Sequence, residues 1–279
     1  TSTSTTEQKE ALASHAGGIT GKNETDGVIT GCTLENNSNS QFAAKNGMLG
    51  GVAGFNKGKI EQSGSSITPD VITLEVIEEQ KDSVRLTKMN QNATKKGLKA
   101  DTTFITWDGN AQLENLHYND SQATVSANRL KFYMDTNGNL GGITAFNAST
   151  GELTGCVSGN WFLSNKSEAI GVGTGGIIGM NESEKDLRFL VNGAFVGRQI
   201  KSGMTNRFAG GIIGNQNNAT SSDWIISDCI NYGTVYCYNS HYSGGIMGQW
   251  TGTGGNIENS QNYGMLQTTY GTAWVGASA

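Results

Sequence analysis

Three histidines, four cysteines and scattered carboxylates carry whatever acid–base, nucleophilic or metal chemistry this chain has, and their spacing decides which kinds are open. His15, His117 and His241 lie far apart, and none falls in an HExxH pair, so the helical zinc-protease site is missing from these residues. No GxSxG nucleophile turn and no GxxxxGK[ST] phosphate loop occurs. Cys32, Cys156, Cys229 and Cys237 are separated by 124, 73 and 8 residues, which is no zinc-ligand spacing and contains no CxxC. The stretch GVGTGG at 171–176 has the letters of a dinucleotide loop but lacks the strand–turn–helix context. Glu182, Glu184 and Asp186 follow Asn181 closely. A polysaccharide-cleaving β-helix would need such acids to converge from neighbouring coils, whereas here they read as dispersed among loops. The expectation is therefore no catalytic residue, no metal and no cofactor.

Binding chemistry is better supplied. Lys81, Arg85, Lys88, Lys95, Lys96 and Lys99 make the most basic stretch of the chain. Downstream, TWDGNAQLENLHYND sets Trp107 and Tyr118 beside Asp108, Asn110 and Asn115. Aromatic faces next to amides and carboxylates suit a sugar or a polar protein surface. Candidate binding residues are thus Trp107, Asp108, Asn110, Tyr118, Lys88, Lys95 and Lys96. The competing reading has Trp107 capping an apolar interior above ordinary solvated lysines.

Composition narrows the classes further. The net charge is −5 with only 15% charged residues, so no global basic footprint for nucleic acid exists. No apolar run approaches the roughly 18–20 residues of a membrane helix. Glycine numbers 40 of 279 while proline numbers 1, which suits a chain whose backbone N–H groups are committed to ladders. The opening TSTSTTEQKE and closing TAWVGASA read as a piece excised from a larger protein.

The elements that position these groups are written in a repeat. Gly pairs followed by an aliphatic residue occur at Gly17-Gly18-Ile19, Gly50-Gly51-Val52, Gly141-Gly142-Ile143, Gly175-Gly176-Ile177, Gly210-Gly211-Ile212 and Gly244-Gly245-Ile246. Their spacings are 33, 91, 34, 35 and 34 residues. A third small residue follows at Gly21, Gly54, Ala145, Gly179, Gly214 and Gly248, and Asn often comes two later, at Asn23, Asn56, Asn147 and Asn181. A trailing signature reads ITGC, IEQS, LTGC, IISDCINYG and IENSQNYG, with Cys32, Cys156 and Cys229 or Ser63 and Ser260 at one position. Units of this length built of Gly, Asn, Ile, Val, Thr and Tyr predict short strands and turns rather than paired helices. The natural solution is a right-handed parallel β-solenoid of about eight coils, each of roughly 34 residues, stacked at about 4.8 Å. The glycine corners are expected wherever positive φ or close backbone approach is needed. The aliphatic residue should stack inward, the asparagines should form ladders, and the Cys/Ser position should take small side chains facing the interior. Free stacked thiols are favoured over a disulfide, which stays open.

The phrases GGITGKN, GGVAGFN, GGIIGMN and GGIIGNQ resemble the GLUG motif, a repeat of large surface proteins of Gram-positive and gut bacteria. The motif also occurs ahead of the catalytic region of some bacterial immunoglobulin A1 metalloproteases. The resemblance covers residues 17–63 and 141–270 and fails over 64–130. It implies a secreted, extracellular solenoid at the bacterial cell surface. Three functions follow as expectations. The first is a non-catalytic adhesin or rigid stalk toward a host glycan, mucin or protein, immunoglobulin among them, joined to flanking domains of the same chain. The alternative is the non-catalytic N-terminal region of a secreted immunoglobulin-directed metalloprotease. The third is a polysaccharide-cleaving β-helix.

The 91-residue gap breaks the repeat. VITLEVIEEQKDSVRLT at 71–87 alternates as a β-hairpin does. Phe104–Trp107 and Leu130–Met134 read as strands of degenerate coils lacking the glycine corner. The expected organisation is coils over 1–63, an insertion over 64–130, and coils over 131–279 cut short at the C-terminus.

Overall fold

A unit that returns about every 34 residues can place each side chain directly above its equivalent, and the backbone of this chain does so. The computed structural model describes residues 14–34, 41–65, 73–76, 84–87, 130–134, 137–159, 161–167, 172–197, 205–206, 208–217, 224–237, 242–251, 254–268 and 274–276. Among them there is no helix, and all secondary structure is β. The first circuit contains β1 (His15–Gly17), β2 (Thr20–Asn23), β3 (Val28–Thr30), β4 (Thr33–Leu34) and β5 (Gln41–Ala44). The second contains β6 (Gly47–Gly50), β7 (Ala53–Asn56), β8 (Lys59–Glu61) and β9 (Gly64–Ser65). After β9 come β10 (Thr73–Val76) and β11 (Val84–Thr87), and then β12 (Leu130–Met134). The third circuit runs through β13 (Gly138–Gly141), β14 (Thr144–Asn147), β15 (Glu152–Thr154), β16 (Val157–Ser158) and β17 (Trp161–Ser167). The fourth runs through β18 (Thr174–Gly175), β19 (Ile178–Asn181), β20 (Leu187–Arg188), β21 (Val191–Asn192) and β22 (Phe195–Val196), with β23 (Thr205–Asn206) beside β17. The fifth contains β24 (Phe208–Gly210), β25 (Ile213–Gln216), β26 (Ile225–Ser227), β27 (Ile230–Asn231) and β28 (Val235–Cys237). The sixth contains β29 (Tyr242–Gly244), β30 (Met247–Trp250), β31 (Asn256–Glu258), β32 (Gln261–Asn262) and β33 (Leu266–Thr268), after which β34 (Trp274–Gly276) opens a seventh.

First strands stack on first strands, second on second, and so on, giving five parallel sheets that we label A to E in the order each circuit meets them. The arrangement is consistent with a β-solenoid. The described strands make six circuits and open a seventh. Leu130–Met134 is a strand, but not of a degenerate coil: β12 pairs with β5 on one side and β17 on the other, as the fifth strand of the second circuit. β10 and β11 pair antiparallel with Thr73 opposite Thr87, as the alternation over 71–87 predicts. Phe104–Trp107 lies outside the described residues.

All twelve corner glycines stand at the ends of the sheet A strands or just after them, and close approach explains ten of them, from Gly17 and Gly18 to Gly210, Gly211 and Gly245. None has positive φ. A Cβ on Gly210 would sit 1.8 Å from the carbonyl oxygen of Ile213, because the chain reverses within four residues. A Cβ on Gly211 would sit 2.0 Å from the carbonyl oxygen of Gly245 in the next circuit and 2.3 Å from Asn231 Cγ. The ladder passes through the corner without a break: Ile143, Ile177 and Ile212 each donate an N–H to the equivalent carbonyl of the next circuit at 2.9, 3.0 and 2.9 Å.

The interior follows from this register. Val52, Ile143, Ile177, Ile212 and Ile246, the residues after the glycine pairs, join Ile60, Leu153, Leu187 and Ile226 of sheet C in one buried spine. Leu49, Leu140 and Ala209 of sheet A meet Phe132, Leu163, Val196 and Val235 of sheet E in a second. Phe55 and Phe146 stack face to face at 4.9 Å beside Met48 and Met180 in a third.

Two side-chain ladders run alongside. Asn23, Asn56, Asn147 and Asn181 each donate Nδ2 to the side-chain carbonyl of the next circuit, at 2.8, 2.8, 2.7 and 2.8 Å, the last acceptor being Gln216 Oε1. The series stops there, because Trp250 stands opposite Gln216 and offers no acceptor. Gln216 Nε2 is left buried and unpaired. A second ladder, visible in the sequence only as the NYG endings, links Asn192, Asn231 and Asn262 at 2.8 and 2.7 Å.

Candidate functional site

The residues singled out for binding, Trp107, Asp108, Asn110, Tyr118, Lys88, Lys95 and Lys96, lie outside the described residues, as do Tyr118's neighbours over 91–129. What the described residues offer is a set of thiols, a set of carboxylates and the surfaces that the stack presents.

Cys32, Cys156 and Cys229 share one position, as their repeat signature suggests, while Cys237 stands elsewhere, in β28. Gly64 N–H donates to the Cys32 carbonyl, Val157 N–H to that of Ser63, and Val191 N–H to that of Cys156. Ile230 N–H then donates to Leu190, and Gln261 N–H to Cys229. The rung order is therefore Cys32, Ser63, Cys156, Leu190, Cys229, Ser260. Leu190 corrects the expectation of small side chains only: the rung faces the apolar interior, so bulk is accepted where the neighbours leave room. Cys32, Cys156 and Cys229 are free, and none occupies a circuit adjacent to another. Two circuits at about 4.8 Å each exceed the reach of a disulfide. Burial pushes the Cys156 and Cys229 thiols up to about 12, so neither supplies a thiolate nucleophile near neutrality.

The carboxylates are less dispersed than their sequence positions suggest. Ile60, Leu153, Leu187 and Ile226 point inward from sheet C, so their flanking residues point outward. Glu152 lies opposite Lys59, and Thr154 opposite Glu61. Asp186 precedes Leu187, which pairs with Leu153, so it stands beside Glu152 on the next rung. Glu61, Glu152 and Asp186 therefore share one outer face. Sequence reasoning missed this grouping; its signal is the xIx or xLx triplet that opens each trailing signature. Cations accompany these acids. Lys59 Nζ lies 2.6 Å from Glu61 Oε1, and Arg188 Nη2 lies 3.0 Å from Asp186 Oδ2. The hydrogen bond to Glu61, with the charges of Glu61 and Glu152, raises the Lys59 pKa against the opposing effect of burial. Asp186 Oδ1 also accepts the Ile225 N–H at 3.0 Å. Glu182 is largely buried and accepts from Asn217 Nδ2 at 3.4 Å. Glu61 and Asp186 are thus engaged by cations, Asp186 also by a backbone N–H, and Glu182 by an amide.

Among the described residues no group of three or more His, Cys, Asp or Glu is placed to hold a metal ion. Nor is any helix there long and apolar enough to cross a membrane. No family model, no curated protein and no solved structure matches this chain.

Proposed function

We propose that this chain is a non-catalytic segment of a secreted bacterial cell-surface protein, acting as an adhesin or as a rigid stalk toward a host glycan or protein. The observation that carries the reading is how the polar groups are used. The amides form ladders inside the stack, and on the sheet C face Glu61 is held by Lys59 and Asp186 by Arg188 and the Ile225 N–H, so the regular circuits are built for shape and stiffness. The resemblance of GGITGKN, GGVAGFN and GGIIGMN to the GLUG motif supports the cell-surface setting. In the same reading the stack is a right-handed solenoid of about eight coils, interrupted by an insertion over 64–130. That insertion, with Trp107, Asp108, Asn110, Tyr118, Lys88, Lys95 and Lys96, carries the binding, because repeated coil surfaces offer little that is unique.

An array of host glycans, mucins, matrix proteins and immunoglobulins tests this. Binding to one class supports an adhesin; binding to none leaves the stalk. If binding survives both replacement of 71–87 by a short Gly-Ser turn and Trp107→Ala in a folded protein, the site lies on the coils. Release of reducing or unsaturated sugar from a polysaccharide would overturn the non-catalytic reading and favour the row of Glu61, Glu152 and Asp186 as an active face.

A further inference from the structure

We propose that the β10–β11 hairpin folds back along the stack and covers the outer face of sheet D at the third to fifth circuits. Cys156, Leu190 and Cys229 belong to the buried spine. Ser158, Asn192 and Asn231 stand against Gly142, Gly176 and Gly211 of the corner between sheets A and B. Both rows therefore face the interior, and the row between them, Val157, Val191 and Ile230, faces outward. A single layer of strands leaves such a row half-exposed. Sheet C does so in the same circuits, where Glu152, Thr154 and Arg188 are half-buried and Asp186 is exposed. Val157 and Val191 are instead 1% and 0% exposed. Phe189 and Tyr232, at the two turns that bound this face, are 7% and 3% exposed. The patch is apolar, and it lies in the middle of the stack rather than at an end.

Another part of this chain therefore lies over the patch, and connectivity points to the hairpin. The chain leaves β9 at Ser65, which pairs with Ser158, so the exit is one rung from Val157. Residues 66–72 then lead to Thr73, a reach of about 27 Å when extended. Val191 and Ile230 lie two and three rungs from Gly64, or about 10 and 14 Å. The chain re-enters the stack at Leu130 in sheet E, the next sheet round. Both ends of the intervening segment thus border the covered face. The hairpin has the complementary need. Among the described strands β10 and β11 pair only with each other, and a lone two-stranded pair is marginal in water until one face packs on something apolar. The register sets Leu74 opposite Leu86 and Val76 opposite Val84. Alternation gathers these four positions on one face, and Thr73, Glu75, Arg85 and Thr87 on the other. An apolar pair tethered within reach of a covered apolar sheet gives a sheet-on-sheet contact at the usual spacing of about 10 Å. The hairpin is then a brace along one side of the stack, with its polar face turned to solvent.

Thiol labelling of the full chain, read peptide by peptide in a mass spectrometer, tests this. Val191→Cys sets a small thiol on the covered face, and Glu152→Cys sets one on the open face of sheet C. The thiol at 191 should react more slowly than the thiol at 152 by about tenfold or more, because it reacts only when the cover opens. Replacing 71–87 by a short Gly-Ser turn should bring the two rates together, while Cys156 and Cys229 stay unlabelled and so report an intact stack. If that replacement lets Cys156 and Cys229 react, Leu74→Lys combined with Leu86→Lys in the otherwise complete chain takes its place, with the same acceleration expected. Fast labelling at 191 in the complete chain overturns the proposal, because the face is then bare. Slow labelling at 191 that persists in an intact stack without the hairpin, or with both lysines in it, overturns it equally, because another segment is then the cover.

Discussion

One residue per circuit stands at positive φ in the turn between sheets C and D: Gly31, Gln62, Gly155, Phe189, Asp228 and Asn259, at 62°, 45°, 64°, 62°, 56° and 48°. The left-handed region costs an ordinary L-residue about 1–2 kcal/mol, glycine almost nothing, and asparagine or aspartate an intermediate amount. Gln62→Gly should therefore raise stability by about 0.5–1 kcal/mol, after allowing for the greater freedom glycine gives the unfolded chain. Gly31→Ala should cost about 1 kcal/mol for conformation alone, since no atom lies within 4 Å of a Cβ built there. Urea denaturation of the two variants measures both signs in one turn. The neighbouring rung gives a second expectation, in pH. Burial holds the Cys156 and Cys229 pKa at about 12 in the folded protein, against the 9.0 of an ordinary thiol. The stabilisation this confers is fully present below pH 9 and is lost as pH rises toward 12, because the unfolded thiols release their protons first. Each thiol should contribute a slope of about 1.4 kcal/mol per pH unit within that window. Urea midpoints at pH 8 and pH 10 should fall further apart in the native sequence than in Cys156→Ser, whose replacement already occupies this rung at Ser63 and Ser260. The same burial should leave Cys156 and Cys229 unlabelled by a thiol reagent while the half-buried Cys32 reacts.

At the scale of the element, the corner and the ladder do different work. A methyl at Gly211 would meet backbone of the next circuit, which cannot step aside without breaking the ladder on both sides. Gly211→Ala should therefore cost about 3 kcal/mol, at the upper end of overpacking penalties, against about 1 kcal/mol at Gly31. Asn147→Leu removes the acceptor of one Asn56 Nδ2 hydrogen, whose other still reaches the Gly58 carbonyl at 3.0 Å, and the donor to Asn181 Oδ1, so two buried ladder bonds are lost. About 2–4 kcal/mol should be lost. Gln216→Leu should cost less, because only Asn181 Nδ2 loses a partner and the already unpaired Nε2 disappears with the side chain. Thermal denaturation of the three variants orders these losses. How much of this was legible beforehand follows from what each residue type can signal. Glycine recurring at one spacing shows where the corner is, and alternation around Thr73–Val76 and Val84–Thr87 shows the antiparallel pair. Asparagine two residues after the third small residue foretold the first ladder. The turn between sheets C and D stayed hidden because Gln62 and Phe189 occupy left-handed positions by constraint from the stack rather than by preference. The shared face of Glu61, Glu152 and Asp186 was equally invisible, since it arises from stacking and not from local sequence. Leu130–Met134 misled for a related reason: a fifth strand reached 65 positions after β9 carries no glycine corner of its own, so its phase could not be read.

The whole molecule is quasi-one-dimensional, each circuit touching only its neighbours, and its stability should vary along the axis accordingly. A middle circuit is held through two interfaces and an end circuit through one. Exposure follows the same gradient: Ile19 at the early end and Ile257, Tyr263 and Met265 at the late end are exposed, whereas the spine residues of the third to fifth circuits are buried. Local opening of an end circuit forfeits one set of ladder bonds and little apolar burial; opening a middle circuit forfeits two sets and a filled core. Amide hydrogen exchange should therefore be faster in β2 and β30 than in β14, β19 and β25, although all five are four-residue strands of sheet B. The first ladder sharpens the contrast at the late end. The Gln216 side chain donates nothing to the sixth circuit, which is joined to the fifth by backbone, by the Thr251 hydroxyl donating to the Gln216 carbonyl at 3.0 Å, by the Ser260 hydroxyl accepting the Cys229 N–H at 3.2 Å, by the Asn231–Asn262 bond and by apolar contacts such as Trp224 on Trp250 at 5.0 Å. Exchange at Met247–Trp250 should accordingly outpace exchange at Thr20–Asn23, where Asn23 still donates to Asn56. Mass-spectrometric exchange reads both comparisons. Uniform protection from the first circuit to the sixth would show instead that the stack opens as a single cooperative unit, with no end weaker than the middle.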